Sequence, residues 1–312
     1  MIRTPVCDLL QIEHPIALGG MGSVYAPQLV AAVSRAGGLG AMGCHYLTPE
    51  QVHAGTAAVR ELTNRPFALN FLLFDIEDDS FASAVALRPA VIAFAWPWPE
   101  QDVKPYVERA HAAGCKVTFM AGGVPEAVRA ARAGGACRLA NDHDARADGG
   151  RRRRSHSGAR RGRNGRGLAA AIMLGADGVL LGTRFLASRE SSLHANFKQA
   201  ILESDGHDTL LSEIPDIAAG LVWPGAMSRS RRNRFIERWA GREWTLRQRR
   251  AQAKAALQAA RKSGDVEEAV LSMGQDAGLI HDIVPAAEIV GRIAEDAERI
   301  LTDRVTRFIR KS

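Results

Sequence analysis

The sequence predicts an α/β fold in which parallel strands alternate with helices, and three observations support it. Short apolar runs that end in Gly or Asn alternate with Ala-rich amphipathic segments along most of the chain. The chain has 312 residues, 46% of them apolar, which is enough for a substantial core. Eight strand-and-helix units would close a TIM (β/α)8-type barrel, whose active site lies on the loops after the carboxyl ends of the strands.

Each predicted element follows from its pattern. Buried strands are predicted at Ile16–Leu18, Leu39–Met42, Phe67–Leu73, Val91–Ala95, Lys116–Met120 and Val179–Leu181. Helices are predicted at Ala26–Ala36, Pro49–Leu62, Val103–Ala113, Pro125–Ala133 and Gly167–Leu174. Two strands of the eight are therefore missing, between the fifth strand and the helix at Gly167.

The pattern changes after Phe185. Glu190–Ser204 reads as a helix, and Ser228–Gly264 is charged, contains Trp and reads as helical. Pro285–Arg310 repeats apolar residues at helical spacing, which predicts a last helix packed on the barrel. We expect a barrel over residues 1–190, a cap segment over residues 191–275 and a C-terminal helical segment over residues 276–312.

Residues 137–166 differ chemically from the rest of the chain. Cys137–Arg166 holds ten Arg and three Asp but no Val, Ile, Phe, Met, Trp or Tyr, so we expect it to supply no buried strand and to disrupt strands 6 and 7. Removing these residues from the 41 positive and 34 negative residues of the chain leaves 31 of each. The basic character is therefore local.

Composition excludes several function classes. No apolar stretch approaches the roughly eighteen residues of a membrane span, and Met1–Gln11 does not resemble a signal peptide, so we expect a cytoplasmic protein. The four Cys are far apart, which predicts no metal site. Arg151–Arg154 and Arg160–Arg166 are basic, but no nucleic-acid-binding motif or interleaved aromatic residue accompanies them, so we expect no specific nucleic-acid partner.

Two glycine motifs stand where strands end. Gly19-Gly20-Met21-Gly22 follows the first strand and would let a flat ring approach the backbone. Gly182-Thr183 ends a later strand, and its amides and hydroxyl suit a phosphate group. A tight turn without a ligand would explain the first motif equally well.

Together with other motifs, these residues resemble the nitronate monooxygenase (2-nitropropane dioxygenase) family. The resemblance is carried by Pro15–Gly22, Ala36-Gly37-Gly38-Leu39-Gly40, Pro66-Phe67-Ala68-Leu69-Asn70, Gly178–Phe185 and Gly274–Ile280. It covers about 280 residues in order. It implies an FMN-dependent barrel enzyme that oxidises alkyl nitronates with O₂ to a carbonyl compound and nitrite.

The resemblance also implies the roles of particular residues. Gly20, Met21 and Gly22 would lie along the flavin, and Asn70 would hydrogen-bond its ring or ribityl chain. Leu180, Leu181, Gly182 and Thr183 would help to hold the phosphate, and Gln275 would close the site. From the residues alone, Asn70 could instead cap a loop and Met21 could be core packing.

The chain departs from the family where the family has a catalytic His after its sixth strand and a phosphate-binding Ala-Gly-Gly-Ile loop after its seventh. Neither is present between Ala136 and Gly165. His143 and His156 lie among charged residues, as solvated side chains do, so no catalytic residue is assigned. His45, after the second strand, lies at the proper end of the barrel to contact substrate.

A frameshift with a short deletion before it would explain the departure. If the codons of Ala145–Arg163 are read one nucleotide later, they permit Leu-Val-Pro-Met-Val-Val-Asp-Ala-Val-Ala-Pro-Ile-Pro-Val-Leu-Ala-Ala-Gly-Gly. That sequence would form a helix, a buried strand and a phosphate loop. Resequencing the gene tests the hypothesis.

Two alternatives remain open. A non-catalytic flavin-binding remnant is favoured by the absent His. An FMN-dependent enzyme similar to enoyl reductases would need a nicotinamide site that the sequence does not reveal. Substrate-dependent uptake of O₂ without NAD(P)H separates nitronate oxidation from the reductase alternative. The oligomeric state is left open.

Overall fold

The computed structural model describes residues 1–21, 24–120 and 165–303, and the backbone of residues 139–141. Its strands are β1 (Ile16–Leu18), β2 (Gly40–Gly43), β3 (Phe67–Leu72), β4 (Val91–Ala95), β5 (Lys116–Met120), β6 (Leu139–Asn141), β7 (Gly178–Leu181), β8 (Thr209–Ser212) and β9 (Ser228–Arg231). Its α-helices are α1 (Pro5–Leu10), α2 (Pro27–Arg35), α3 (Pro49–Leu62), α4 (Asp78–Ala86), α5 (Lys104–Ala112), α6 (Gly165–Met173), α7 (Thr183–Leu186), α8 (Ala195–Glu203), α9 (Ile214–Ala219), α10 (Arg234–Trp239), α11 (Glu243–Gln248), α12 (Arg250–Ser263) and α13 (Ala286–Asp303). The predicted helix Pro125–Ala133 lies outside the described residues.

The first seven strands are parallel. β2, β3, β4 and β5 pair in that order, and β1 pairs with β7, which pairs with β6. A parallel bridge between Ala17 and Leu39 joins the two groups. The described strands therefore run in the order β6-β7-β1-β2-β3-β4-β5, and the predicted α/β fold with a parallel sheet is confirmed.

One expectation about the Arg-rich stretch is wrong. Leu139–Asn141 forms a strand whose register places Leu139 beside Gly178 and Asn141 beside Leu180. Leu, Ala and Asn carry no charge, so these three residues can join a sheet although the arginines around them are costly to bury. The disruption predicted for strand 7 falls on residues 142–164, outside the described part of the chain.

Close packing of helix on strand explains one of the glycine motifs. α2 lies against β2, where a Cβ atom on Gly40 would lie 2.1 Å from the carbonyl oxygen of Val30. Leu29, Val30 and Val33 of this helix are buried in the main core. Only a glycine at position 40 lets α2 come this close to β2, and the contact stabilises the second strand-and-helix unit.

The cap segment is not wholly helical. Ser228–Arg231, predicted as the start of a helical region, is a strand that pairs antiparallel with Thr209–Ser212. Ser230 is fully buried and bridges to Ser272, whereas its neighbours are only partly buried. Alternation of small and long side chains suits a strand with one buried face, and the charge of the Arg residues obscured that alternation in the sequence.

The last helix packs against α6 and α2. Ile289, Ile293 and Ala297 of α13 are buried in the main core. A Cβ atom on Gly165, the first residue of α6, would lie 2.4 Å from the backbone nitrogen of Ala297. Residues 304–310 of the predicted helix are outside the described part. No helix in the described ranges is long and apolar enough to cross a membrane.

Candidate functional site

A cavity of about 1630 Å³ extends from the cap segment past the carboxyl ends of the strands and between the strands as far as α1, where Pro5, Val6 and Leu9 line it. Ala17, Ala41 and Ala68 line its deep part, where their small side chains leave space between the strands. The mouth is lined by residues of α9, α12 and β9. Sites in α/β barrels form at this end because the loops after the strands converge there.

Gly20 and Asn70, which the sequence predicts for one site, are in contact at this cavity. A Cβ atom on Gly20 would lie 2.2 Å from Asn70 Oδ1, so the glycine makes room for the amide. Asn70 is 8% exposed, and its Nδ2 donates to the carbonyl oxygen of Ala93 at 3.1 Å. The amide is therefore held by β4, with its oxygen at the Gly20 backbone. Met21 also lines the cavity, whereas Gly22 is outside the described residues.

Gly182 and Thr183 form a second wall. A Cβ atom on Gly182 would meet no atom of the described residues within 4 Å, so these residues leave space beside its backbone. The buried hydroxyl of Thr183 accepts a hydrogen bond from the amide of Gly274 at 2.9 Å, which ties the end of β7 to the C-terminal part of the cap segment. The Thr183 hydroxyl keeps its own hydrogen to donate.

Leu180 lines the cavity, but Leu181 and Gln275 are not among its lining residues. The carbonyl oxygen of Leu181 accepts from the amide of Gly19 at 2.9 Å, so this residue fixes the Gly-rich turn. Gln275 begins the 3-10 helix Gln275–Leu279, and its carbonyl oxygen lies against Gly206. Their predicted direct contacts with a flavin therefore stay predictions.

His45 lines the cavity just beyond β2. Its side chain is 7% exposed, its Nε2 makes no hydrogen bond, and the nearest carboxylate, Asp75 Oδ2, is 3.8 Å away. Burial lowers the pKa of His45, and Asp75 opposes that shift only in part. The imidazole is consequently neutral at pH 7, with a nitrogen able to accept a proton.

Aromatic side chains that the sequence reasoning missed form one side of the mouth. Trp96 and Trp223 line the cavity with ring centroids 5.8 Å apart, and Trp223 lies 4.9 Å from Phe74. Tyr46 and Trp96 have φ angles of 68° and 55°, a region that aromatic residues rarely occupy. The sequence Trp96-Pro97-Trp98 directly after a predicted strand was the available signal.

Asp216 anchors the cap side of this wall. Its carboxylate accepts from Trp223 Nε1 at 3.0 Å, from the backbone nitrogen of Ser228 at 3.0 Å, and from the Ser228 hydroxyl. Burial raises the pKa of Asp216, although these hydrogen bonds oppose the shift. The carboxylate joins α9 to β9 and fixes the indole of Trp223. Within the described ranges, no cluster of His, Cys, Asp or Glu could hold a metal ion.

Comparison with known proteins gives consistent similarities. The profile described as nitronate monooxygenase matches residues 3–137 and 163–296. A "probable nitronate monooxygenase" of Staphylococcus saprophyticus is 28% identical, over 68% of this chain and 76% of that protein. The "(3aS,4S,5R,7aS)-5-hydroxy-7a-methyl-1-oxo-octahydro-1H-indene-4-carboxyl-CoA dehydrogenase" of Mycobacterium tuberculosis is 27% identical, over 95% of this chain and 96% of that protein. The solved structure of FabK from Thermotoga maritima is 28% identical and covers 99% of this chain and 100% of its own, with a TM-score of 0.82.

Proposed function

Because the chain belongs to the nitronate monooxygenase family, we propose that it oxidises alkyl nitronates with O₂, giving a carbonyl compound and nitrite. The family resemblance found in the motifs is confirmed, as are an enzyme of this family and FMN as its cofactor. The family profile omits residues 138–162, the part in which the sequence departs from the family. The frameshift itself stays a hypothesis.

The residues present fit FMN. The carboxyl ends of β1, β3 and β7 contribute Gly20, Asn70 and Gly182 to one cavity, which is large enough for a flavin and a substrate. Gly182 leaves open space for a ligand, and Thr183 offers a hydroxyl at a phosphate's expected position. Bound FMN would supply electron transfer between the nitronate and O₂.

The convergence of these strand ends on one cavity is the observation that carries the proposal. Asn70, held by the Ala93 carbonyl, would orient the flavin, while Leu180, Leu186 and Met273 exclude water. The phosphate would be held by Gly182 and Thr183 without the loop that the family places after its seventh strand. We therefore propose an active or residually active enzyme with weakened FMN binding, built as a closed barrel with a cap.

His45 is the side chain that we propose to act on the substrate. Among the histidines of the described ranges it is the one that lines the cavity, and burial keeps its imidazole neutral at pH 7, although Nε2 itself is enclosed by protein atoms. It can contact a nitronate, or take a proton from the α-carbon of a neutral nitroalkane. This role would replace the His of the family's missing loop.

The test is O₂ uptake by purified protein supplied with FMN and the nitronate of 2-nitropropane, without NAD(P)H. We expect nitronate-dependent uptake accompanied by nitrite. Saturable FMN binding with no uptake, at any nitronate concentration, would contradict nitronate oxidation and favour a non-catalytic flavin-binding protein.

One similarity favours a second candidate, a flavin-dependent dehydrogenase or reductase of a larger substrate. A relative that matches 95% of this chain is named a carboxyl-CoA dehydrogenase. Flavin reduction by NAD(P)H or by a thioester substrate, with no response to nitronate, would favour this candidate.

A further inference from the structure

The cap segment turns one face of α12 toward the cavity. Lys254, Leu257, Gln258 and Arg261 all line it, and their spacing of three, four and seven residues places them on one side of the helix. Lys254 and Arg261 stand about 10 Å apart along the axis. Arg229 of β9 lines the same mouth.

These three cations make no ion pair with a carboxylate of the described residues. Within the described ranges, Lys254 and Arg261 make neither a hydrogen bond nor an ion pair, and Arg229 donates only to Thr209. Five other arginines of the cap segment pair with carboxylates, namely Arg231, Arg232, Arg234, Arg238 and Arg247. Arg242, Arg249 and Arg250 are also without an ion pair in the described ranges, but they do not line the cavity.

The surroundings of Arg261 point to a ligand. Its side chain is exposed, yet desolvation lowers its pKa with no carboxylate to oppose the shift. Arg261 also lines the cavity. Of the acidic residues that line the cavity, Asp216 is engaged by Trp223 and Ser228, and Asp177 lies at the amino end of β7. A charge so placed favours an anion at the mouth.

We propose that Lys254, Arg261 and Arg229 bind the pyrophosphate group of a long substrate or co-substrate whose reactive end reaches the flavin. Two cations separated by two helical turns suit a group with several negative charges better than a single carboxylate. Leu257 between them and the nearby Trp223 offer apolar contacts for the rest of the ligand. Coenzyme A thioesters and nicotinamide dinucleotides share this chemistry. The inference rests on the second candidate function, a flavin-dependent dehydrogenase or reductase of a larger substrate, because an alkyl nitronate carries no pyrophosphate group.

Calorimetric titration of flavin-free protein with pyrophosphate, coenzyme A and NADH tests the proposal. We expect saturable binding, weakened about tenfold by Lys254→Gln and by Arg261→Gln, since a hydrogen bond to a charged group is lost in each. Lys262→Gln is the matched control on the same helix, because Lys262 does not line the cavity; it should change affinity less than twofold. Arg261→Lys should retain most of the affinity and guards against misfolding of the Gln variant.

Stronger binding of coenzyme A than of NADH would assign the site to a thioester, and the reverse to a nicotinamide; either supports the proposal. Absence of binding by all three probes, or equal losses in Lys262→Gln and Arg261→Gln, would overturn it. An FMN affinity that falls in parallel in Arg261→Gln would also overturn it, since the cations would then hold the flavin phosphate. If the chain fails to bind FMN, the proposed function is contradicted. The titration can still be interpreted, because it is carried out on flavin-free protein.

Discussion

At the residue scale, two glycines at the cavity have different surroundings. The Asn70 side chain occupies the space where Gly20 lacks a Cβ atom, whereas the described residues leave the space beside Gly182 open. The sequence motifs place both residues at the site but cannot distinguish these roles, because only the packing of β3 against the Gly-rich turn brings Asn70 to Gly20. Trp223 was beyond prediction for the same reason, since its position depends on the Asp216 hydrogen bonds in the cap segment.

Replacing each glycine by alanine separates ligand contact from packing. Gly182→Ala adds a methyl group that meets none of the described atoms within 4 Å. It should therefore leave the melting temperature of flavin-free protein unchanged but weaken FMN binding about tenfold. Gly20→Ala should lower both the melting temperature and the FMN affinity, because the new Cβ atom would clash with Asn70 Oδ1. Unchanged FMN affinity in Gly182→Ala would show that the cofactor does not approach this backbone.

The proposed role of His45 predicts a particular pH dependence. Burial lowers its pKa below the ordinary 6.5, so the imidazole is a competent base above that pH and loses this capacity as the pH falls through its lowered value. With a neutral nitroalkane, kcat/KM should be constant above about pH 6.5 and fall in more acidic buffer. The unfolded chain binds this proton more readily, so the free energy of unfolding should also decline below pH 6.5.

His45→Gln should lower nitroalkane turnover by about 10²- to 10⁴-fold and abolish that acidic fall. Oxidation of a preformed nitronate needs no proton removal, so its rate should fall much less in His45→Gln. His53→Gln, on the exposed side of α3, is the control. A pH profile that is identical in His45→Gln and the unmodified chain would exclude His45 as the base.

At the element scale, six of the parallel strands were predicted closely. Their ends lie within one residue of the prediction because runs of apolar residues between turn signals fix them; these strands are β1, β2, β3, β4, β5 and β7. The antiparallel pair β8–β9 was not predicted, since Ser-Arg-Ser-Arg has no alternation of apolar residues. The burial of Ser230 depends on Ser272, which lies across a bridge from it. β6 was masked by the surrounding arginines.

The contact between α2 and β2 gives a stability prediction. Gly40→Ala would force a methyl group to within 2.1 Å of the Val30 carbonyl oxygen, and we expect a loss of about 1–3 kcal/mol in the free energy of unfolding. Gly291→Ala, in the interior of α13 with no atom within 4 Å of the new Cβ, should instead gain about 0.5–1 kcal/mol. Urea denaturation measures both, and equal effects would argue against the packing of α2 on β2.

At the scale of the whole molecule, two long matching stretches surround a segment that the family profile omits. The parallel strands on either side of that segment still converge on one cavity. The division into barrel, cap segment and C-terminal helix, the closure of the barrel and the cytoplasmic location stay predictions. No sequence pattern could supply the joint wall made by α12 and the strand ends, because it arises from contacts between residues far apart in the chain.

Titration of flavin-free protein with FMN, followed by quenching of flavin fluorescence, tests the central claim most directly. We expect saturable binding of one FMN per chain, with an affinity too weak to survive gel filtration. A variant in which residues 145–163 are replaced by the sequence of the shifted frame should bind at least tenfold more tightly. FMN that stays bound at one per chain in the unmodified protein, or a titration that never saturates, would contradict the account.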